Sequence, residues 1–292
     1  MAYDLQVGSV GLRAEVVDSM VKQVAERKYK FKQACVVVST DSWKNTFFRE
    51  QTTIPAGQPG NLTKGLPRGA NFPQYTIGWD EVNVRVLKHG LEDNIPWEDL
   101  LSDYINVQAR TIIRLTEGVV KSVDDDIWNS LTENTTPVAI QTIAIAAGYE
   151  WDATSSAIIN NVFRASQLIA ESNYDTDDLI CFINPYQQRY IMKYLVDKGS
   201  QFPTIAAETL RNGQIGKIGN ISFIVSNSVS TSFALVCKPK TCATWKELVS
   251  LRSDVTTDPY KSVRIRVVEE GVTELTDPKS VVLISNTQAA AA

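Results

Sequence analysis

Apolar side chains return at every fourth position along residues 12–26, at Leu12, Val16, Met20 and Val24, with Val17 and Val21 beside them. That spacing lays a stripe along one face of a helix. A basic stretch follows, Arg27-Lys28-Tyr29-Lys30-Phe31-Lys32. It reads as a solvated connector or an arm crossing onto a neighbour, and nucleic acid is the other partner such a cluster admits. The apolar run 35–38 predicts a strand. Val82, Val84 and Val86 alternate with polar residues and predict a half-buried strand. Asp93 and Asn94 precede Ile95-Pro96-Trp97, and proline suits a first helical turn. From 97 to 131 there is no proline and one glycine, Gly118. Leu101, Ile105, Ile112, Leu115, Val119, Val123 and Ile127 trace a stripe at helical steps. A helix over that whole span would be roughly 50 Å long, a spine that other elements lie across.

The second half reads as smaller units. Residues 155–172 predict an amphipathic helix with Ile158, Ile159, Val162, Phe163, Leu168 and Ile169 inward. A buried strand at 179–183 runs into Asn184-Pro185, an N-cap with proline at the first helical position, and a helix to about 198. A turn punctuated by Gly213, Gly216 and Gly219 precedes a strand at 221–225. No helix follows it, so the dipole of a phosphate cradle is missing. Further strands are expected at 232–237, around Val263, Ile265 and Val267, and at 281–284.

Residues 51–76 differ in kind. They hold four glycines and four prolines among 26 residues, no Asp or Glu, and only Lys64 and Arg68 as charges. A loop this long in a compact domain is generally functional or partner-bound. It carries neither phosphate-loop glycine spacing. The segment therefore reads as an excursion away from the domain body.

Composition narrows the function. The 292 residues include 29 Lys and Arg against 33 Asp and Glu, a formal charge of −4, which argues against a dedicated DNA-neutralising protein. A single histidine, His89, excludes two-histidine zinc sites by count. None of Cys35, Cys181, Cys237 and Cys242 forms a C-x-x-C pair, and the apolar context of Cys35 and Cys181 suggests buried thiols. No secretory signal opens the chain and no apolar run approaches the ~20 residues of a membrane helix, so a reducing cytoplasm is expected. Asp124-Asp125-Asp126 lacks the calcium-loop pattern and reads as a solvated face near a helix end. Glu269 and Glu270 are adjacent on a strand, face opposite sides, and cannot work as a pair. No catalytic, cofactor-binding or metal-binding residue is assigned, and an enzyme is not expected.

Four passages together resemble one family. "GWDEVNVRVLKHGLEDNIPWEDLLSD" is similar to a passage from a returning extended loop into a spine helix. "NNVFRASQLIAESNYDTDDLICFINPYQQRYIMKYL" is similar to a helix, a strand and an Asn-Pro-started helix of an axial domain. "GQIGKIGNISFIVSNSVS" resembles a Gly-x-Ile-x-Gly turn before a strand, and "RIRVVEEGVTELTDPKSVVLI" resembles closing strands. Their order and spacing resemble the major capsid proteins of tailed viruses, the Hong Kong 97 fold. The resemblance implies an α+β fold divided as N-terminal arm (1–45), extended loop with flanking strands (46–92), peripheral domain with spine helix (93–147), axial domain (148–251), return strands (252–286) and tail (287–292).

It also implies a function: hexamers and pentamers of this chain in an icosahedral shell around double-stranded DNA, without sequence-specific binding and without a membrane. The expected setting is the virion capsid, assembled in the host cytoplasm. A separate scaffolding protein and a portal are expected partners, since no room for a scaffolding segment precedes residue 12, and the family admits decoration proteins. Lys64 lies in the loop where some members form a Lys–Asn cross-link, but no Asn and Glu partners are identifiable. The loop is expected to bury Leu62, Leu66 and Phe72 on a neighbour. Its +2 charge, from Lys64 and Arg68, would meet the spine acids Glu98, Asp99, Asp103 and Glu117, on a span of net charge −4. An encapsulin-type compartment shell is the alternative on the same fold, and an α+β enzyme the remote one.

Overall fold

The structure, a computed structural model, describes residues 14–50, 67–69, 71, 79–102, 107–135, 138–198, 215 and 217–289. Helix α1 spans Ala14–Lys28. Among its described side chains the fully buried ones are Val17, Val21 and Ala25, while Met20 and Val24 of the expected stripe are half-buried and Leu12 and the Val16 side chain lie outside the described residues. A short 3-10 turn, Lys32–Ala34, leads to β1 (Val36–Ser39). A two-stranded hairpin of β2 (Lys44–Glu50) and β3 (Trp79–Arg85) flanks the breaker-rich segment. Strand β4 (Leu87–Pro96) follows directly.

The expected spine at 97–131 is helical wherever it is described. Two helices are described, α2 (Trp97–Ser102) and α3 (Val107–Leu131), and residues 103–106 between them lie outside the described residues. Asp93 and Asn94 are not a helix cap: they pair with Ile265 and Arg264 inside β4. Both residues are held in the ladder to β12, and the Asp93 carboxylate accepts the Asn94 N–H at 2.8 Å. At 25 residues α3 is about 38 Å long. Its buried stripe contains Ile112, Leu115, Val119, Val123 and Ile127 as expected, whereas Leu101 on α2 is exposed.

Two sheets organise the rest. The first has the order β1-β11-β12-β4, with β11 (Ala243–Asp258) and β12 (Ser262–Leu275) forming a long hairpin and β1 parallel to β11. Helix α3 lies against β12 and β4, and α1 lies against both α3 and β11. Strand β11 has no clean alternation because its register slips twice, between Glu247 and Val249 and between Val249 and Arg252. Each slip shifts the following side chains by one position relative to the partner strand. Gly271 permits the close approach of Trp245: a Cβ there would sit 2.3 Å from Cζ2 of that ring.

After the short pair β5 (Asn134–Thr135) and β6 (Val138–Ala139) comes the second sheet, of order β7-β13-β10-β8-β9. Its strands are β7 (Gln141–Ala144), β8 (Leu179–Ile183), β9 (Ile221–Val225), β10 (Phe233–Cys237) and β13 (Val281–Ser285). Helices α4 (Ile158–Glu171) and α5 (Pro185–Asp197) contribute to the core on one face of this sheet. Leu179, Cys181, Ile183, Val236 and Ile284 face that core, while Phe182, Leu235, Cys237 and Leu283 face the core beneath α3. Burial on both faces explains the unbroken apolar runs of β8, β10 and β13. Phe31 joins the halves: its ring stacks on Phe182 at 4.3 Å between centroids and tilts against Trp128 at 5.6 Å. Phe163 of α4, expected inward, is exposed and lies over Gly219. Ile158, Val162 and Ile169 are buried as expected, and Ala165 is buried beside them.

Candidate interaction surfaces and the buried junction

The basic stretch 27–32 is not a solvated connector. Tyr29 and Phe31 are buried, and the segment is clamped by carboxylates from two directions. From α3, Asp124, only 3% exposed, accepts the backbone N–H groups of Lys30 at 3.0 Å and Phe31 at 3.2 Å. From β12, the fully buried Glu269 accepts Lys32 Nζ at 2.7 Å and the Tyr29 hydroxyl. Glu247 of β11 lies 3.2 Å from the same Nζ, which also sits over the rings of Tyr29 and Trp245. A buried carboxylate is tolerable only when such donors replace its water.

The acidic run therefore has a role that composition hides. Three consecutive helix positions point in three directions. Asp124 caps the turn. Asp126 accepts from Thr273 Oγ1 at 3.3 Å. Asp125 is half-buried. Desolvation pushes the Asp124 carboxyl up to about 6, against the lowering effect of the N–H donors. Burial likewise raises Asp126, opposed by His89 and the Thr273 hydroxyl. His89 Nδ1 lies 2.9 Å from Ser122 Oγ of α3. Glu269 and Glu270 engage different lysines, Lys32 and Lys88, as their opposite facing requires.

The expected loop–spine contact is only partly visible. Leu62, Lys64, Leu66, Phe72 and Asp103 lie outside the described residues. Arg68 is exposed beside Gly69, which adopts a φ of +83°. Glu98 and Asp99 are exposed on α2. Glu117 is half-buried and shared between Lys28 and Arg114, 3.2 Å from each. An acidic face along α3 is thus not formed: its exposed charged positions are Arg110, Arg114 and Lys121, because Asp124 turns inward and Glu117 is neutralised.

Sequence reading missed the β2–β3 hairpin face. Phe47, Val82 and Val84 share its half-buried side, while Phe48 and Trp79, 63% and 60% exposed, lie diagonally on the other. Trp43, just before β2, is also exposed. Phe48 and Trp79, diagonal neighbours on one side, form an apolar surface of the kind that marks partner contacts.

At the start of α5, Asn184 Oδ1 accepts the Tyr186 N–H at 3.0 Å, and Gln187 Oε1 accepts the Asn184 N–H at 2.8 Å. Gln187 Nε2 donates to Thr231 O, Phe233 O and Thr287 Oγ1, tying α5 to the sheet and to the chain end. All four cysteines are free and buried, and burial raises the Cys181 thiol well above its ordinary value. Among the described residues no group of acidic, His or Cys side chains could hold a metal ion, and no helix is long and apolar enough to cross a membrane.

A protein-family model described as phage capsid protein matches residues 79–284. No curated protein matches the chain. Among solved structures, the capsid of cyanophage P-SCSP1u superposes with a TM-score of 0.67 at 14% identity, covering 88% of each chain. The mature capsid of bacteriophage PhiM1 gives a TM-score of 0.62 at 14% identity, over 90% of this chain and 88% of that one. A virus-like particle from Pyrococcus furiosus gives 0.63 at 11% identity, over 93% and 98%. At these identities the likeness is one of fold.

Proposed function

The chain belongs to the phage capsid protein family, and from that premise we propose that it is the major subunit of an icosahedral shell of hexamers and pentamers enclosing a double-stranded DNA genome. The observation that carries the reading is the family match across 79–284, which takes in the α3 spine and both sheets. Shell assembly in the host cytoplasm, with a separate scaffolding protein, a portal and decoration proteins, belongs to the same proposal.

Within it, the segment 51–76 reaches onto a neighbouring subunit. Support comes from its composition and from the aromatic face of the hairpin that carries it, Phe48 and Trp79. The driving force is apolar burial of Leu62, Leu66 and Phe72 together with those aromatics. Attraction of Lys64 and Arg68 to α3 contributes little, because that helix exposes Arg110, Arg114 and Lys121. Any acidic complement to the loop lies at Glu98 and Asp99 of α2.

Negative-stain microscopy and sedimentation of the purified chain, alone and with a co-expressed scaffold, test the reading. Closed shells or capsomer rings are expected. A uniform monomer under both conditions would overturn it. An encapsulin-type compartment is the second reading, favoured by the fold likeness to the Pyrococcus furiosus particle. Shells that package a protein cargo and no DNA would select it.

A further inference from the structure

We propose that the groove between the α1–β1 turn, α3 and the loop after β9 is a sequence-independent contact for the phosphate backbone of duplex DNA. This rests on the reading of the chain as a genome-enclosing shell subunit. The groove measures about 280 Å³ and is lined by Lys28, Lys30 and Lys121 together with Ser226, Asn227 and Ser228. It sits in a chain of net charge −4, so its local positive charge is not a by-product of composition.

The two carboxylates on its wall do not cancel that charge. Asp124 is turned onto the backbone N–H groups of Lys30 and Phe31. Glu117 is shared by Lys28 and Arg114, one negative charge between two positive ones. Among the described residues Lys30 and Lys121 form no ion pair. The exposed Arg110 and Arg114 extend the positive charge along α3.

The lining also selects the partner class. Its apolar members among the described residues are Val120 and Val225. An acidic helix from a protein partner would need an apolar stripe to seat its own. Among the described residues no aromatic ring lines the groove on which a base could stack. Amines, hydroxyls and one amide suit phosphate oxygens, which position a duplex without reading its sequence. The same clamp that buries Phe31 places Lys30 at the groove, so the contact is built into the fold and not into a loose arm.

The test is binding of a mixed-sequence 24-base-pair duplex to unassembled full-length protein, by fluorescence anisotropy across a salt series. The triple variant Lys28→Gln/Lys30→Gln/Lys121→Gln should weaken binding roughly tenfold or more at 50 mM salt and lower the slope of log affinity against log salt by about 3. Binding should not depend on the duplex sequence. A control with equal charge loss elsewhere, Lys193→Gln/Lys198→Gln/Lys261→Gln, should keep the slope. An unchanged slope in the first variant, or an equal loss in the control, overturns the inference. So does a poly-glutamate peptide that binds more tightly than the duplex at equal salt and loses that binding in the first variant. Shells seen by microscopy while the duplex fails to bind would reject the groove and leave the shell reading intact.

Discussion

The five-stranded sheet is buried on both faces by apolar side chains, whereas the four-stranded sheet shares one apolar core with α3, Trp245, Ile265 and Val267 among its members, and adds to it a set of buried charges that holds the N-terminal turn. In the first, Cys181 and Phe182 are neighbours on β8 that belong to different cores. In the second, Tyr29, Lys32, Asp124, Glu247 and Glu269 form one connected set reaching across α3, β11 and β12. Apolar burial is non-directional and tolerates adjustment. A buried ionic set holds only while every member is present, and it ties elements to one relative position. The five-stranded sheet thus has a core that can absorb change. Beside the four-stranded sheet a junction holds the N-terminal turn in one place or releases it.

The largest effect should come from breaking that junction at one partner. Lys32→Met leaves Glu269 buried without its cation and should cost about 3–5 kcal/mol in chemical denaturation. Adding Glu269→Gln should restore a large part of this, which a purely steric account would not predict. Phe182→Ala, at the meeting of the two cores, should cost about 3–5 kcal/mol. There a second substitution in the other core, Ile158→Val of α4, should simply add its own ~1 kcal/mol. Strong coupling between those two would mean that the two cores do not adjust independently.

A pH series sharpens the same contrast. The Asp124 carboxyl titrates at about 6 in the folded chain against 3.8 for a free side chain, so the native state holds an extra proton between those values. Its contribution is fully present below the lower value and is lost as pH rises through the upper one. Stability should therefore fall by on the order of 3 kcal/mol between pH 4 and 7 from this group alone. Asp124→Asn should flatten that part of the profile, measured as denaturation midpoints at each pH. The smallest effect belongs to the exposed surface. Lys217→Ala removes an exposed ion pair with Asp178 at 2.9 Å and should leave the denaturation midpoint essentially unchanged.

Legibility followed the same division. Asn184-Pro185-Tyr186-Gln187 reads as a helix start because a cap is made by residues within three positions of one another. The runs of β8, β10 and β13 read as buried strands because both faces demand apolar residues. Strand β11 did not read as a strand, since two register slips remove its period. Asp124 read as solvated, since nothing nearby in sequence shows that a turn 93 residues earlier would present its N–H groups. Lys32 read as a connector for the same reason: Glu269 lies 237 positions away. The hairpin face of Phe48 and Trp79 was hidden because register, not composition, puts the two on one side.

By itself the sequence determined the helices, the apolar strands, the breaker-rich excursion at 51–76 and, through the order of its motifs, the capsid family. These depend on local period, local caps and turn residues, interactions that close over a few positions. Only the tertiary structure decided which acids are buried, that the exposed side of α3 is basic, and where the basic stretch at 27–32 is anchored. A charge has no period along the chain. Its cost or benefit is set by what surrounds it after folding, and those neighbours come from elements hundreds of residues apart.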